Sequence, residues 1–149
     1  DSIAIASQTL ISEHISKGIK YYKSQLYSNL IQITAFFSLL LVVFSYFFLD
    51  DLIVFFAGES FSQLSNTQLR FLFSISLLFG SFAFLWDGVL LGLDKVYEFS
   101  LITVLSSIIG IILSIYLVNR EASLISLWSA LVVSLVIRGL MGYVYQRTD

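Results

Sequence analysis

The acid Asp87 stands where lipid should be. It lies within the twenty-five residues from Leu69 to Leu93, nearly all of them apolar, with Gly88 directly after it and Gly92 four residues on. A helix rises about 1.5 Å per residue, so a run of this length crosses the roughly 30 Å hydrocarbon core of a bilayer. A carboxylate at that depth costs roughly 2.5–3.5 kcal/mol on insertion scales and therefore faces protein or a water-filled cavity. In a cavity, Asp87 is able to bind a proton or a sodium ion, or to attract a cationic substrate. The bland alternative is a structural acid paired with a helix donor or an arginine. Transport is the first function to weigh.

The remaining polar residues within apolar runs are few. Gly88 and Gly92 form a Gly-x-x-x-Gly step, which lets a neighbouring helix backbone approach closely or loosens the helix for bending; packing is the preferred reading. Arg138 follows Ser126, Ala130 and Ser134 at four-residue steps, near one small, polar helix face. Placed near the inner end of its helix, it reads as a structural charge, either snorkelling to headgroups or pairing with Asp94, Glu98 or Glu13. Gln8 and Thr9 are candidates to line a polar cavity, though ordinary helix–helix hydrogen bonds explain them equally well. Glu13 and His14 close the same segment. A histidine can join a proton relay, but one beside lysines reads more simply as interfacial. Trp86 and Trp128 fall inside spans and read as packing residues rather than interfacial belts.

Enzyme constellations are missing from the sequence. It holds no metal-ligand cluster, no glycine-rich phosphate loop and no supported Ser-His-Asp arrangement. One histidine and no cysteine leave little for nucleophilic chemistry and exclude disulfides. The net charge of −2 gives no basic footprint, so nucleic acid is not an expected partner.

These residues need elements that hold them in a membrane. The chain is 58% hydrophobic and 12% charged, against about 25% charged in an ordinary soluble domain. Four apolar blocks are legible at about 30–49, 69–93, 100–118 and 123–145, preceded by the end of a fifth helix at about 1–16. Gly18 reads as the C-cap of that first helix, with Lys17, Lys20 and Lys23 as a basic connector. Asp50 to Arg70 reads as a longer connector whose apolar patch, Leu52 to Ala57, lies in the interface. No alternation of period two runs long enough for a barrel strand. The expected class is all-α, a polytopic membrane helix bundle, with membrane lipids as its surroundings. A chain opening on Asp1 inside helical sequence, without a basic n-region and cleavage site, reads as a piece of a longer protein. With Lys17, Lys20, Lys23, Lys95 and Arg147 on one side and Arg70 and Arg120 on the other, the positive-inside rule puts the C-terminus in the cytoplasm.

Three segments in order carry a resemblance. Leu85-Trp86-Asp87-Gly88-Val89-Leu90-Leu91-Gly92, followed by a short polar turn, resembles the tenth helix of MATE (multidrug and toxic compound extrusion) transporters, in their DinF-like branch. Asp1-Ser2-Ile3-Ala4-Ile5-Ala6 with Ser12 and Ser16 is similar to the eighth helix, and Leu127-Trp128-Ser129-Ala130-Leu131 with Arg138-Gly139 to the twelfth. The chain departs from the pattern at Ser2, Ser12 and Ser16, where glycine is common, yet serine keeps the site small. It has no proline, so a kink in the 100–118 span would need Gly110 or local serine bonding.

The resemblance implies that residues 1–149 are most of the C-terminal six-helix lobe of a two-lobed, twelve-helix inner (plasma) membrane transporter. It implies no cofactor beyond H+ or Na+ as coupling ion. The implied partners are a small organic, often cationic, substrate and the remaining helices of the same transporter. In one branch of the family an acid on the tenth helix belongs to the cation site, and Asp87 occupies that place; in the DinF-like branch much of the coupling is attributed to an acid on the first helix. Ser12 and Ser16, with Gly88 and Gly92, are the implied helix-packing positions. The expected function is cation-coupled multidrug efflux. A lipid-linked oligosaccharide flippase of the same superfamily is the alternative, and a non-transporting scaffold or truncated remnant a third.

Overall fold

Apolar runs of this length leave the backbone one way to satisfy its own N–H and C=O groups within a segment, the α-helix. The computed structural model describes residues 2–16, 23–58 and 67–147. They form five helices: α1 (Ser2–Ser16), α2 (Lys23–Ala57), α3 (Thr67–Gly92), α4 (Val96–Arg120) and α5 (Leu124–Arg147), with no strand among the described residues. The last four are long and apolar enough to cross a membrane. The protein is a multi-pass helical membrane bundle.

Its packing inverts the pattern of a soluble domain. Ser7, Thr34, Ser38, Ser45, Ser81, Ser106 and Ser126 are buried, while Phe36, Phe37, Phe47, Phe55, Phe56, Ile111 and Ile112 are exposed. Lipid removes the incentive to hide large apolar groups, so helix seams collect small residues that let backbones approach. Many of the buried serines, Ser7, Ser38, Ser45, Ser76, Ser81 and Ser106 among them, return their protons to the preceding turn. Ser38 donates to the Ala35 carbonyl at 3.0 Å, Ser76 to Phe73 at 2.6 Å and Ser81 to Leu77 at 2.8 Å.

Helix α3 is the hub. In its apolar window 44% of residues are buried, against 11% in each of the other three spans, because α1, α2 and α5 all pack on it. α1 crosses it at Gly88 and Gly92. A Cβ on Gly88 would meet the Ser7 Cβ at 2.8 Å, and one on Gly92 would meet the Ile11 Cβ at 2.6 Å. Ile11, Leu30, Leu85, Trp86 and Val89 close a small apolar core where α1, α2 and α3 converge. α4 is held chiefly by α5, where Ser134 donates to the Ser106 carbonyl at 3.0 Å beside Gly110.

Local signals set the helix ends. α3 stops in a Schellman turn: Lys95 N–H reaches the Leu90 carbonyl at 2.9 Å and Asp94 N–H the Leu91 carbonyl at 3.2 Å. Asp94 takes the left-handed position there, φ 61°, which aspartate tolerates better than most residues. Ser123 caps α5, accepting from the Ser126 N–H at 3.3 Å. Lys95 then donates to the Tyr145 carbonyl at 2.8 Å, tying the α3–α4 turn to the last turn of α5.

Two expectations need correction. Leu52 to Ala57 is not part of a connector: α2 continues unbroken through Asp50 and Asp51 to Ala57, giving 35 residues. No glycine or proline interrupts it before Gly58, whose φ of 93° ends the helix. Asp50 is accommodated by an ion pair with Arg70 of α3, which also donates to the Tyr46 carbonyl at 3.2 Å. Nor is Lys23 part of the expected basic connector, since it opens α2, while Gly18, Lys17 and Lys20 lie outside the described residues.

Gly80 separates a crowded glycine from a roomy one, since its Cβ would meet only the Leu135 Cδ1 at 3.7 Å. Gly88→Ala is expected to lower the stability of the detergent-solubilised protein by about 1–3 kcal/mol, as overpacking does, with Gly80→Ala nearly neutral. Thermal unfolding of both variants checks this, and equal effects would contradict the α1–α3 crossing. Asp50→Asn should cost no more than about 1 kcal/mol in the same assay, because half of the Asp50 side chain is exposed at that pair.

Candidate functional site: an ion pair between two membrane helices

Successive helical residues point about 100° apart, so Asp87 and Gly88 serve different neighbours. Gly88 faces α1, and Asp87 faces α5. There the Arg138 guanidinium grips the carboxylate with two donors, Nη2 to Oδ2 at 2.7 Å and Nε to Oδ1 at 3.2 Å. Such two-pronged, charge-assisted bonding is the strongest form of the contact. Asp87 is buried, its side chain 7% exposed against 20% for Arg138. Among the described residues it has no other ion-pair partner.

The register of α3 and α5 explains the geometry. Gly139 lies against Ala83 and Gly142 against Trp86, so the two helices run in the same direction with a constant offset. Arg138 is then level with Phe82, and its side chain extends about 7 Å along the bundle to reach Asp87. It passes Phe84, whose ring centroid is 6.0 Å from the guanidinium carbon. The seam itself does not depend on the pair. Trp86 meets Tyr143 edge-on at 5.4 Å, and Phe73 meets Trp128 at 5.3 Å, bracketing it along the two helices.

The expected partners of Arg138 were Asp94, Glu98 and Glu13; its partner is Asp87. Nor does it sit near a helix end: nine residues separate it from Arg147 at the end of α5, about 13 Å of helix. It leans toward that end, as a snorkelling arginine does, but stops at the acid.

Gln8 and Thr9 are not brought to Asp87. Both are exposed on α1, the helix packed at Gly88, and Thr9 donates to its own helix at the Ile5 carbonyl, 2.9 Å away. Ser12 and Ser16 do not occupy the α1–α3 seam either. They are exposed and bond back to the Thr9 and Glu13 carbonyls at 3.0 and 2.8 Å, while Ala4, Ser7 and Ile11 take the contact instead. The helical phase of α1 decides this, since positions 4, 7 and 11 share one face. Glu13 is exposed on the far side of that helix from the core residue Ile11. Asp1 and the side chain of His14 lie outside the described residues.

Three grooves are mainly apolar. One on α2, about 520 Å³, one between α2 and α3, about 320 Å³, and one between α3 and α5, about 220 Å³, are lined by aliphatic and aromatic side chains, with Ser74, Tyr46 and Tyr143 carrying hydroxyl groups. Asp87 lines none of them. Among the described residues no three His, Asp or Glu side chains gather as a metal site.

Comparison with protein-family models, curated proteins and solved structures finds no match. The case therefore rests on geometry.

Sequence reasoning named both charges, and its bland alternative for Asp87 included an arginine partner, but it did not name Arg138 as that partner. A usable signal was present: the two charges within spans are of opposite sign, on helices separated by one crossing and hence parallel. Each is costly in lipid alone, and together they form a neutral unit. Removing one partner strands the other, so Arg138→Gln is expected to cost about 3–5 kcal/mol, whereas Asp87→Asn with Arg138→Gln recovers most of it. Unfolding of the single and double variants in detergent checks this; additive losses would show that the two residues do not interact.

Proposed function

We propose that this chain belongs to the C-terminal lobe of a MATE-type, cation-coupled efflux antiporter of the inner membrane, with its C-terminus in the cytoplasm. The observation that carries the reading is a buried carboxylate, Asp87, within a membrane span and balanced by an arginine side chain rather than by fixed backbone donors. An acid held that way exchanges partners: a proton, a sodium ion or an organic cation each satisfies it as the guanidinium does. Alternating access would let an external cation take the site and release substrate outward. The three sequence resemblances and their order support the assignment, as does the crossing of α1 over Gly88 and Gly92, which unites two of those segments.

The flippase reading calls for an unneutralised basic group facing the lipid-linked head group. Arg138, deep within its span, is neutralised by Asp87, which favours efflux. A scaffold would lose stability with either charge but would show no cation-driven export to lose.

In the full-length protein, Asp87→Asn is expected to reduce proton- or sodium-driven export of a lipophilic cation about tenfold or more, with Asp87→Glu retaining part of it. Fluorescent-dye efflux from everted vesicles, normalised to protein amount, measures this. Undiminished efflux by a well-expressed Asp87→Asn protein would remove Asp87 from the mechanism.

A further inference from the structure

We propose that Arg138 is a tethered competitor for Asp87: its guanidinium occupies the carboxylate until an incoming cation displaces it toward the face of Phe84. The inference rests on the reading that Asp87 receives the coupling ion or a cationic substrate, and it assigns the residue that such a cation must outcompete.

Three features of the α3–α5 seam support displacement rather than a permanent clamp. The pair is closed by the far end of an extended side chain, so opening it takes rotations about the arginine stem and no movement of either helix. The backbones are held together independently, by Gly139 against Ala83 and Gly142 against Trp86. An alternative seat lies beside the path, because the Phe84 ring is already 6.0 Å from the guanidinium carbon, within the range of cation–π attraction. Arginine suits this role because its flat, weakly hydrated head rests on an aromatic face, and its fixed charge cannot be lost to deprotonation.

The less buried partner is Arg138, with 20% of its side chain exposed against 7% for Asp87. A cation arriving from that side meets the guanidinium before the acid. The carboxylate is then available only in the fraction of molecules where the pair is open, and apparent affinity falls by that fraction. If the pair is open about one-tenth of the time, removing the guanidinium raises cation affinity about tenfold. It also removes the return stroke, since nothing then expels the bound cation from Asp87.

The test uses the full-length protein in native membranes, with dicyclohexylcarbodiimide as a reagent for buried, protonated carboxyls and tetraphenylphosphonium as the cation. Mass spectrometry reads labelling at Asp87. Arg138→Gln is expected to label at least about tenfold faster than the natural protein, and tetraphenylphosphonium to protect it at about tenfold lower concentration. Arg138→Lys, which keeps the charge but not the two-pronged grip, should label at an intermediate rate, and it carries the test should Arg138→Gln fail to accumulate. Equal labelling of the natural protein and the variant, or protection at the same concentration in both, overturns the proposal. Export of tetraphenylphosphonium by the natural protein is measured separately. Export without the labelling shift sinks the competitor alone, whereas the shift without export sinks the transporter reading and leaves the competitor standing.

Discussion

An ionised carboxylate among acyl chains has no water to turn to, so its counter-charge must come from the protein. That constraint organises the part of the bundle around the C-terminal half of α3. Asp87 on α3 and Arg138 on α5 satisfy each other through two hydrogen bonds, and the unit they form is electrically neutral. For them to meet, α3 and α5 must run side by side in the same direction, which requires α4 to return the chain across the membrane between them. It also requires the two backbones to lie close, which Gly139 and Gly142 permit. An aliphatic residue in place of either charge would leave its partner stranded, the expensive state in an apolar medium.

The same economy explains why α3 sits at the centre. Its half ending at Gly92 is buried nearly all round, from Leu85 to Leu90, with α1 against Gly88 and Gly92 and α5 against Trp86 and Asp87. Neighbouring residues thus address opposite helices, and the Gly-x-x-x-Gly step that admits α1 leaves the acid turned toward α5. The other spans turn narrow seams rich in serine, threonine, alanine or glycine inward, with Leu30, Leu49 and Ile102 beside them, and give most of their aromatic and branched side chains to the surroundings. Two ion pairs at opposite ends of α3, with Asp50 of α2 and Arg138 of α5, brace it to both flanks. The exposed one contributes little energetically and mainly sets register. The buried one is the proposed site of cation exchange.

Much of the fold was legible because the bilayer imposes a simple rule on sequence. Apolar runs long enough to span it must be helices, and four such runs with short turns already describe the bundle. Boundaries were legible where a local motif marks them, as at Asp94-Lys95 and Ser123. The end of α2 was misplaced because Asp50-Asp51 looks like an exit from the membrane. The real stop signal is Gly58, since paired or interfacial acids do not break a helix whereas a left-handed residue does. The acid itself was legible from its depth. Its partner was not, because reach along the bundle depends on the register of two helices fifty residues apart, and distance from a predicted span end is a poor guide to that register. Ser12 and Ser16 failed for a related reason: small size marks residues able to line a seam, but only the phase of α1 decides which of them do.

The central claim is physical: in a lipid bilayer the Asp87 carboxylate is ionised and bonded directly to the Arg138 guanidinium. Solid-state NMR on the protein in lipid, with the aspartate carboxyl carbons and arginine guanidinium nitrogens isotopically labelled, reads that bond without altering either residue. The account predicts a short-range dipolar coupling between the two groups and the chemical shift of an ionised carboxylate at Asp87. A protonated Asp87, or a guanidinium beyond hydrogen-bonding reach of it, would contradict the account.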